Sequence, residues 1–121
     1  MKSHWVTHQG KRVFISDFSN LNYDVAAVHE ECEAIKVALA DELPKSILAI
    51  VNMEGTFANE KIVGEFRQLL PTTNKYVKRR AVIGLKGFRR HFVFFVTKVV
   101  GEVNFSIFDS LNEAQDWIVR D

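Results

Sequence analysis

The hydrophobic positions of this chain change period several times. Trp5, Val6 and Thr7 make a short strand-like run, and Val13, Phe14 and Ile15 make a second, more apolar one. Gln9-Gly10 between them supplies a positive-φ turn, so the segment is expected to be a hairpin. From Val25 the period becomes helical: Val25, Val28, Cys32, Ile35 and Leu39 follow 3-4-3-4 spacing. Glu30, Glu31, Glu33 and Lys36 fall off that row, Asn22 or Asp24 is placed to cap the start, and Pro44 marks the stop. "SILAIVNM" (46–53) is an unbroken apolar run, as in a strand covered on both faces. A second helix is predicted after a turn at Gly55, with Asn59 as its cap, Ile62, Val63, Phe66, Leu69 and Leu70 inward, and Pro71 following its end.

"RRAVIGL" (79–85) reads as a short buried strand, and "GLKGFRRHFVFFVTKVVG" (84–101) is ambiguous. Phe92–Val96 has the composition of a strand. Phe88, Phe92, Phe95 and Val99, however, sit at 4-3-4 spacing, with Gly87 before them and Gly101 after. That spacing predicts a helix over 87–100. "NFSIF" (104–108) alternates as a strand, and "SLNEAQDWIV" (110–119) opens with a capping box, Ser110 and Glu113, that turns Ala114, Trp117 and Ile118 to the core. The order ββαβαβαβα implies an α/β fold: a mostly parallel sheet of about five strands, four helices and an antiparallel N-terminal edge strand.

A length of 121 residues suggests one domain over 1–121, and 47% apolar residues suffice for a core. No apolar run reaches the ~20 residues that span a bilayer. The single cysteine, Cys32, forbids an internal disulfide, and "MKSHWVTHQGKR" lacks the apolar block of a signal peptide, so a cytoplasmic location is expected. The net charge of +1 conceals an asymmetry: residues 1–60 carry five basic and nine acidic side chains, and residues 61–121 carry eleven and six. The basic excess gathers at Lys75, Lys78, Arg79, Arg80, Lys86, Arg89 and Arg90. Such a run is more often a solvated face than the footprint of an anionic partner.

Four segments, "GKRVFISDFSNL" (10–21), "SILAIVNMEGT" (46–56), "RRAVIGLKGFRR" (79–90) and "FDSLNEAQDWI" (108–118), together with the order of elements, give the chain a family likeness. It resembles the STAS-like α/β domain of bacterial anti-sigma-factor antagonists, and within it a group of small bacterial proteins related in fold to CRAL-TRIO lipid carriers. The resemblance implies the same fold and a helix at 87–100, and no motif in it is tied to a known reaction. It departs from the antagonists at one place. They carry a phosphorylatable serine at the start of the helix after the central strand, where this chain reads "TFANEKIVG", with Thr56 slightly upstream as its one hydroxyl.

No residue set amounts to a catalytic signature. Cys32 lies in the apolar row of a helix, where a thiol behaves as a small hydrophobe. His4 and His8 share a strand face without further ligands nearby, and neither His29 nor His91 has a nucleophile to serve. Asp17 reads as a strand end and Asp24 as a helix-start charge rather than as an acid–base pair. No metal or cofactor is expected. Ligands of open α/β sheets bind at the carboxyl ends of the strands. Gly55, Thr56, Gly84, Lys86 and Gly87, with Arg89 and Arg90 at the rim, are therefore the candidate ligand-binding residues. Val93 and Phe94 are a candidate partner surface. The expected function is a non-enzymatic binding or regulatory module acting through a protein partner or self-association, with no specific nucleic acid. The alternative is a carrier or sensor of an apolar or anionic small molecule.

Overall fold

The computed structural model describes residues 1–57, 59–85 and 104–120, and for 104 and 105 only the backbone. Strands β1 (His4–His8) and β2 (Lys11–Asp17) form the hairpin, with positive φ at Gln9 (51°) and Gly10 (80°). Helix α1 (Val25–Leu39), strand β3 (Ile47–Asn52), helix α2 (Glu60–Asn74), strand β4 (Val77–Ile83), strand β5 (Asn104–Phe108) and helix α3 (Leu111–Ile118) follow. The five strands make one mixed sheet in the order β1-β2-β3-β4-β5, antiparallel at β1·β2 and parallel elsewhere. Three helices lie among the described residues; the helix expected at 87–100 falls outside them.

Strand alternation sends side chains to two cores. On one face Phe14, Ala49, Val51 and Val82 pack against the apolar rows of α1 and α2, namely Val28, Cys32, Ile35, Leu39, Ile62, Val63, Phe66 and Leu69. On the other face Val13, Ile15, Leu48, Ile50, Ala81 and Ile83 pack against Ala114, Ile118 and Val119. β3 is thus covered on both sides, as its unbroken apolar run requires. The helix starts are held by side-chain caps. Asp24 Oδ1 accepts from Ala27 N (3.0 Å), Asn59 Oδ1 from Ile62 N (2.9 Å) and Ser110 Oγ from Glu113 N (3.2 Å).

Three expectations need correction. Pro71 sits inside α2, not beyond it. The helix runs on because Leu70 and Thr73 are buried, and because the hydroxyls of Thr72 and Thr73 donate to the carbonyls of Gln68 and Leu69 around the proline. Glu31, expected off the apolar row, is buried, because its carboxylate accepts from the backbone N–H groups of Lys2 (3.1 Å) and Ser3 (2.8 Å). The basic run is not one solvated face. β4 begins at Val77, and alternation places Arg79 and Arg80 on opposite sides of the sheet. Arg79 lies over the Trp117 ring (5.7 Å) and donates to the Arg120 carbonyl, while Arg80 is buried beneath α2.

Candidate functional site

The parallel strands β2, β3 and β4 end side by side at Asp17, Asn52 and Ile83. The turns beyond them continue the pairing. Phe18 N donates to Asn52 O (2.9 Å), Asn20 N to Glu54 O (2.6 Å), Asn22 N to Gly55 O (3.0 Å) and Phe57 N to Asn22 O (2.9 Å). Asn20 and Asn22 hold positive φ (59° and 53°), which their short polar side chains tolerate. On the β4 side Met53 N donates to Ile83 O (2.9 Å). Gly84 (φ +76°) passes so close to the 53–54 backbone that a Cβ would lie 2.8 Å from Glu54 Cα, so glycine is required there by packing as well as by conformation.

Of the candidate residues, Gly55, Thr56 and Gly84 come together on this carboxyl rim, whereas Lys86, Gly87, Arg89, Arg90, Val93 and Phe94 lie outside the described residues. Gly55 is exposed, with φ +73°. Thr56 is only 1% exposed: its hydroxyl donates to the Phe18 carbonyl and accepts from Leu21 N (3.0 Å), tying the two turns together. Asp17 ends its strand, with Oδ1 accepting from Ser19 N (3.0 Å). The described charges on the rim are mixed: Glu54 is exposed, Asp24 caps α1, Glu60 and the exposed Lys61 open α2, and Lys2 Nζ donates to Ser19 Oγ (3.1 Å) in the turn after β2. Asp24 and Asn59 already serve part of the N–H groups at the two helix starts. The described part of the basic run, Lys75 to Arg80, begins at the amino end of β4, away from this rim.

What sequence reading missed is the aromatic face of the rim. Tyr23, just before α1, and Phe57, just before α2, stack at 5.2 Å between centroids with 27° between planes. They are nevertheless 61% and 39% exposed. Neither belongs to a periodic apolar row, so no local signal marks them. At the opposite edge of the sheet, beside the hairpin turn and the start of β3, lies an open groove of about 570 Å³ lined by Trp5, Gly10, Arg12, Glu42, Leu43 and Leu48, among others. Arg12 there stacks over Trp5 (4.0 Å) and bridges to Glu42 (3.6 Å).

The isolated reactive side chains are engaged elsewhere. Burial pushes the Cys32 thiol up to about 12, with nearby Glu65 adding to the effect, so it is not a nucleophile near neutrality. His4 Nδ1 meets the Lys2 carbonyl (2.9 Å) and His8 Nε2 meets Asp116 Oδ1 (2.9 Å). Among the described residues no cluster of three or more His, Cys, Asp or Glu is placed to hold a metal, and no helix is long and apolar enough to cross a membrane.

No family model and no curated protein matches the sequence. Among solved structures, the chain is similar to an uncharacterised protein of the DUF3478 family with a SpoIIAA-like fold, from Shewanella loihica PV-4. The TM-score is 0.74 at 17% identity, over 96% of this chain and 91% of that one. At that identity the likeness speaks for architecture, and the architecture is the one the sequence resemblance implied: the SpoIIAA-like, or STAS-like, α/β fold.

Proposed function

We propose that the protein is a non-enzymatic binding or regulatory module whose carboxyl rim engages a protein partner. The observation that carries this reading is the Tyr23–Phe57 pair. Two large aromatic rings stand exposed on a rim whose backbone groups are largely paired internally. Stacked, solvent-facing aromatics are costly to leave in water and are the residue type that dominates contact energy in interfaces. The exposed Glu54, three residues before Phe57, adds a polar margin. The reading includes no serine phosphoswitch. The one hydroxyl at the turn, on Thr56, is buried and bonded on both sides, so a kinase could reach it only after the two turns came apart. Among the described residues the carrier alternative gains less support from the interior: the crevice between α1, α2 and the sheet measures about 20 Å³, which admits no lipid tail.

The test is site-specific photocrosslinking in cells, with the photoreactive amino acid placed at Phe57 and, separately, at Leu43 in the opposite groove. The expected result is a discrete protein adduct from position 57 that disappears when Tyr23→Ala is added. Adducts from position 43 alone, or adducts at 57 that are indifferent to Tyr23→Ala, would overturn the placement.

A further inference from the structure

Arg80 is 3% exposed and projects from β4 to the face covered by α1 and α2. Its neighbour on β3 is Ala49, whose small side chain leaves room on that side. The described partners are both neutral: Nη1 donates to Asn74 Oδ1 (2.7 Å) and Nη2 to Thr73 Oγ1 (3.3 Å). A guanidinium has five N–H donors, so donors remain after these two bonds. Among the described residues no carboxylate bridges it, and burial pushes the group down to about 10, which leaves it charged at neutrality. A buried cation without a counter-charge is among the most costly arrangements a core can hold.

The space beside it is small and defined. Arg80, Thr73 and Ser16 line a crevice of about 20 Å³ whose other walls are apolar, Phe18, Ile35 and Phe66 among them. That volume is close to the minimum that holds one water-sized particle. Thr73 Oγ1 already donates to the Leu69 carbonyl (3.1 Å), so its lone pair is what faces Nη2, and the guanidinium supplies the strongest donors in the crevice. We infer that this crevice is an anion site, in which Arg80 holds one monovalent, halide-sized anion such as chloride between the helix layer and the sheet. A halide fits where a carboxylate with any tail does not, its weak hydration suits apolar walls, and it neutralises the one buried charge on this face that no described acid meets.

The experiment is urea unfolding of the full chain in sodium chloride against sodium gluconate at equal ionic strength, with a bromide-soaked crystal of the same protein. An anion bound only by the folded state raises the folding constant as 1 + [anion]/Kd, so the constant should climb toward tenfold per decade of chloride and stay flat in gluconate, which is too large to enter. Arg80→Met, of similar volume and uncharged, should abolish the chloride increment. Should that variant not fold, the bromide anomalous peak within hydrogen-bond distance of the Arg80 guanidinium decides alone. Equal wild-type stability in the two salts, a chloride increment that survives in Arg80→Met, or bromide peaks confined to the protein surface would overturn the inference; a single water in the crevice gives the first of these.

Discussion

At the scale of single residues, Thr56 shows how a candidate for chemistry becomes a structural tie. Its hydroxyl joins the turn after β2 to the turn after β3, donating to Phe18 O and accepting from Leu21 N. Thr56→Val keeps the shape and removes both bonds, leaving a buried carbonyl and a partly buried N–H without that partner. The expected cost is about 1–3 kcal/mol, read as a lower urea midpoint at unchanged m-value. A change in m-value instead would mean that the turns had already separated in the native state. Thr56 was legible in the sequence as a lone hydroxyl at the right turn. Its two partners, on another turn far away in sequence, were not.

At the scale of elements, α2 carries two consequences. Pro71 removes one rung of its hydrogen-bond ladder at an exposed position. Pro71→Ala restores the rung, so the variant should be more stable by about 2 kcal/mol after allowance for the stiffer unfolded chain that proline provides. Unchanged or lower stability in thermal unfolding would show that proline is accommodated there without loss. The second consequence is an ion pair between helices. His29 Nδ1 on α1 lies 2.8 Å from Glu65 Oε2 on α2, and this hydrogen bond with its charge, aided by Glu33, raises the His29 pKa above its ordinary 6.5. A raised pKa stabilises the folded state below about pH 6.5, and the contribution fades as pH rises through the folded value. His29→Gln should therefore lose stability relative to wild type at pH 5.5 and match it at pH 8.5. A difference independent of pH would count against the pairing. Because His29 is exposed and Glu65 only half-buried, salt should weaken the pair.

At the scale of the whole molecule, α1 also anchors the start of the chain. Glu31 is buried, which by itself would raise its pKa. The hydrogen bonds from Ser3 and from the Lys2 amide outweigh that, so the carboxyl titrates below its ordinary 4.5. A depressed acid contributes stability above its unfolded value and loses it as pH falls through the folded one. The stability gap between wild type and Glu31→Gln should be constant above about pH 5 and shrink steadily below 4.5. A gap that persists at pH 3 would mean that the amides bind the neutral side chain equally well. The same sheet also presents two separate surfaces, the aromatic carboxyl rim and the groove by the hairpin turn. The photocrosslinking comparison sets one against the other.

The sequence alone determined the features that depend on neighbours. The hairpin follows from a positive-φ pair between two apolar runs, the helices from apolar rows at 3-4 spacing with Asp24, Asn59 and Ser110 as caps, and the two-sided burial of β3 from its unbroken apolar run. Those periods report the local geometry of a turn of helix or a pleat of strand, and they survive into the fold because each one also buries its apolar face. Only the tertiary structure decided the fate of the polar and aromatic groups. Arg79 and Arg80, adjacent in one basic run, went to opposite faces because a strand alternates. Glu31 was drawn into the interior by amides at the chain start, and Tyr23 met Phe57 because parallel pairing brought two distant turns together. The alternation of Arg79 and Arg80 is local to β4, but what each side chain meets is not, and the partners of Glu31, Tyr23 and Phe57 lie far away in sequence, where no spacing within a single element encodes them.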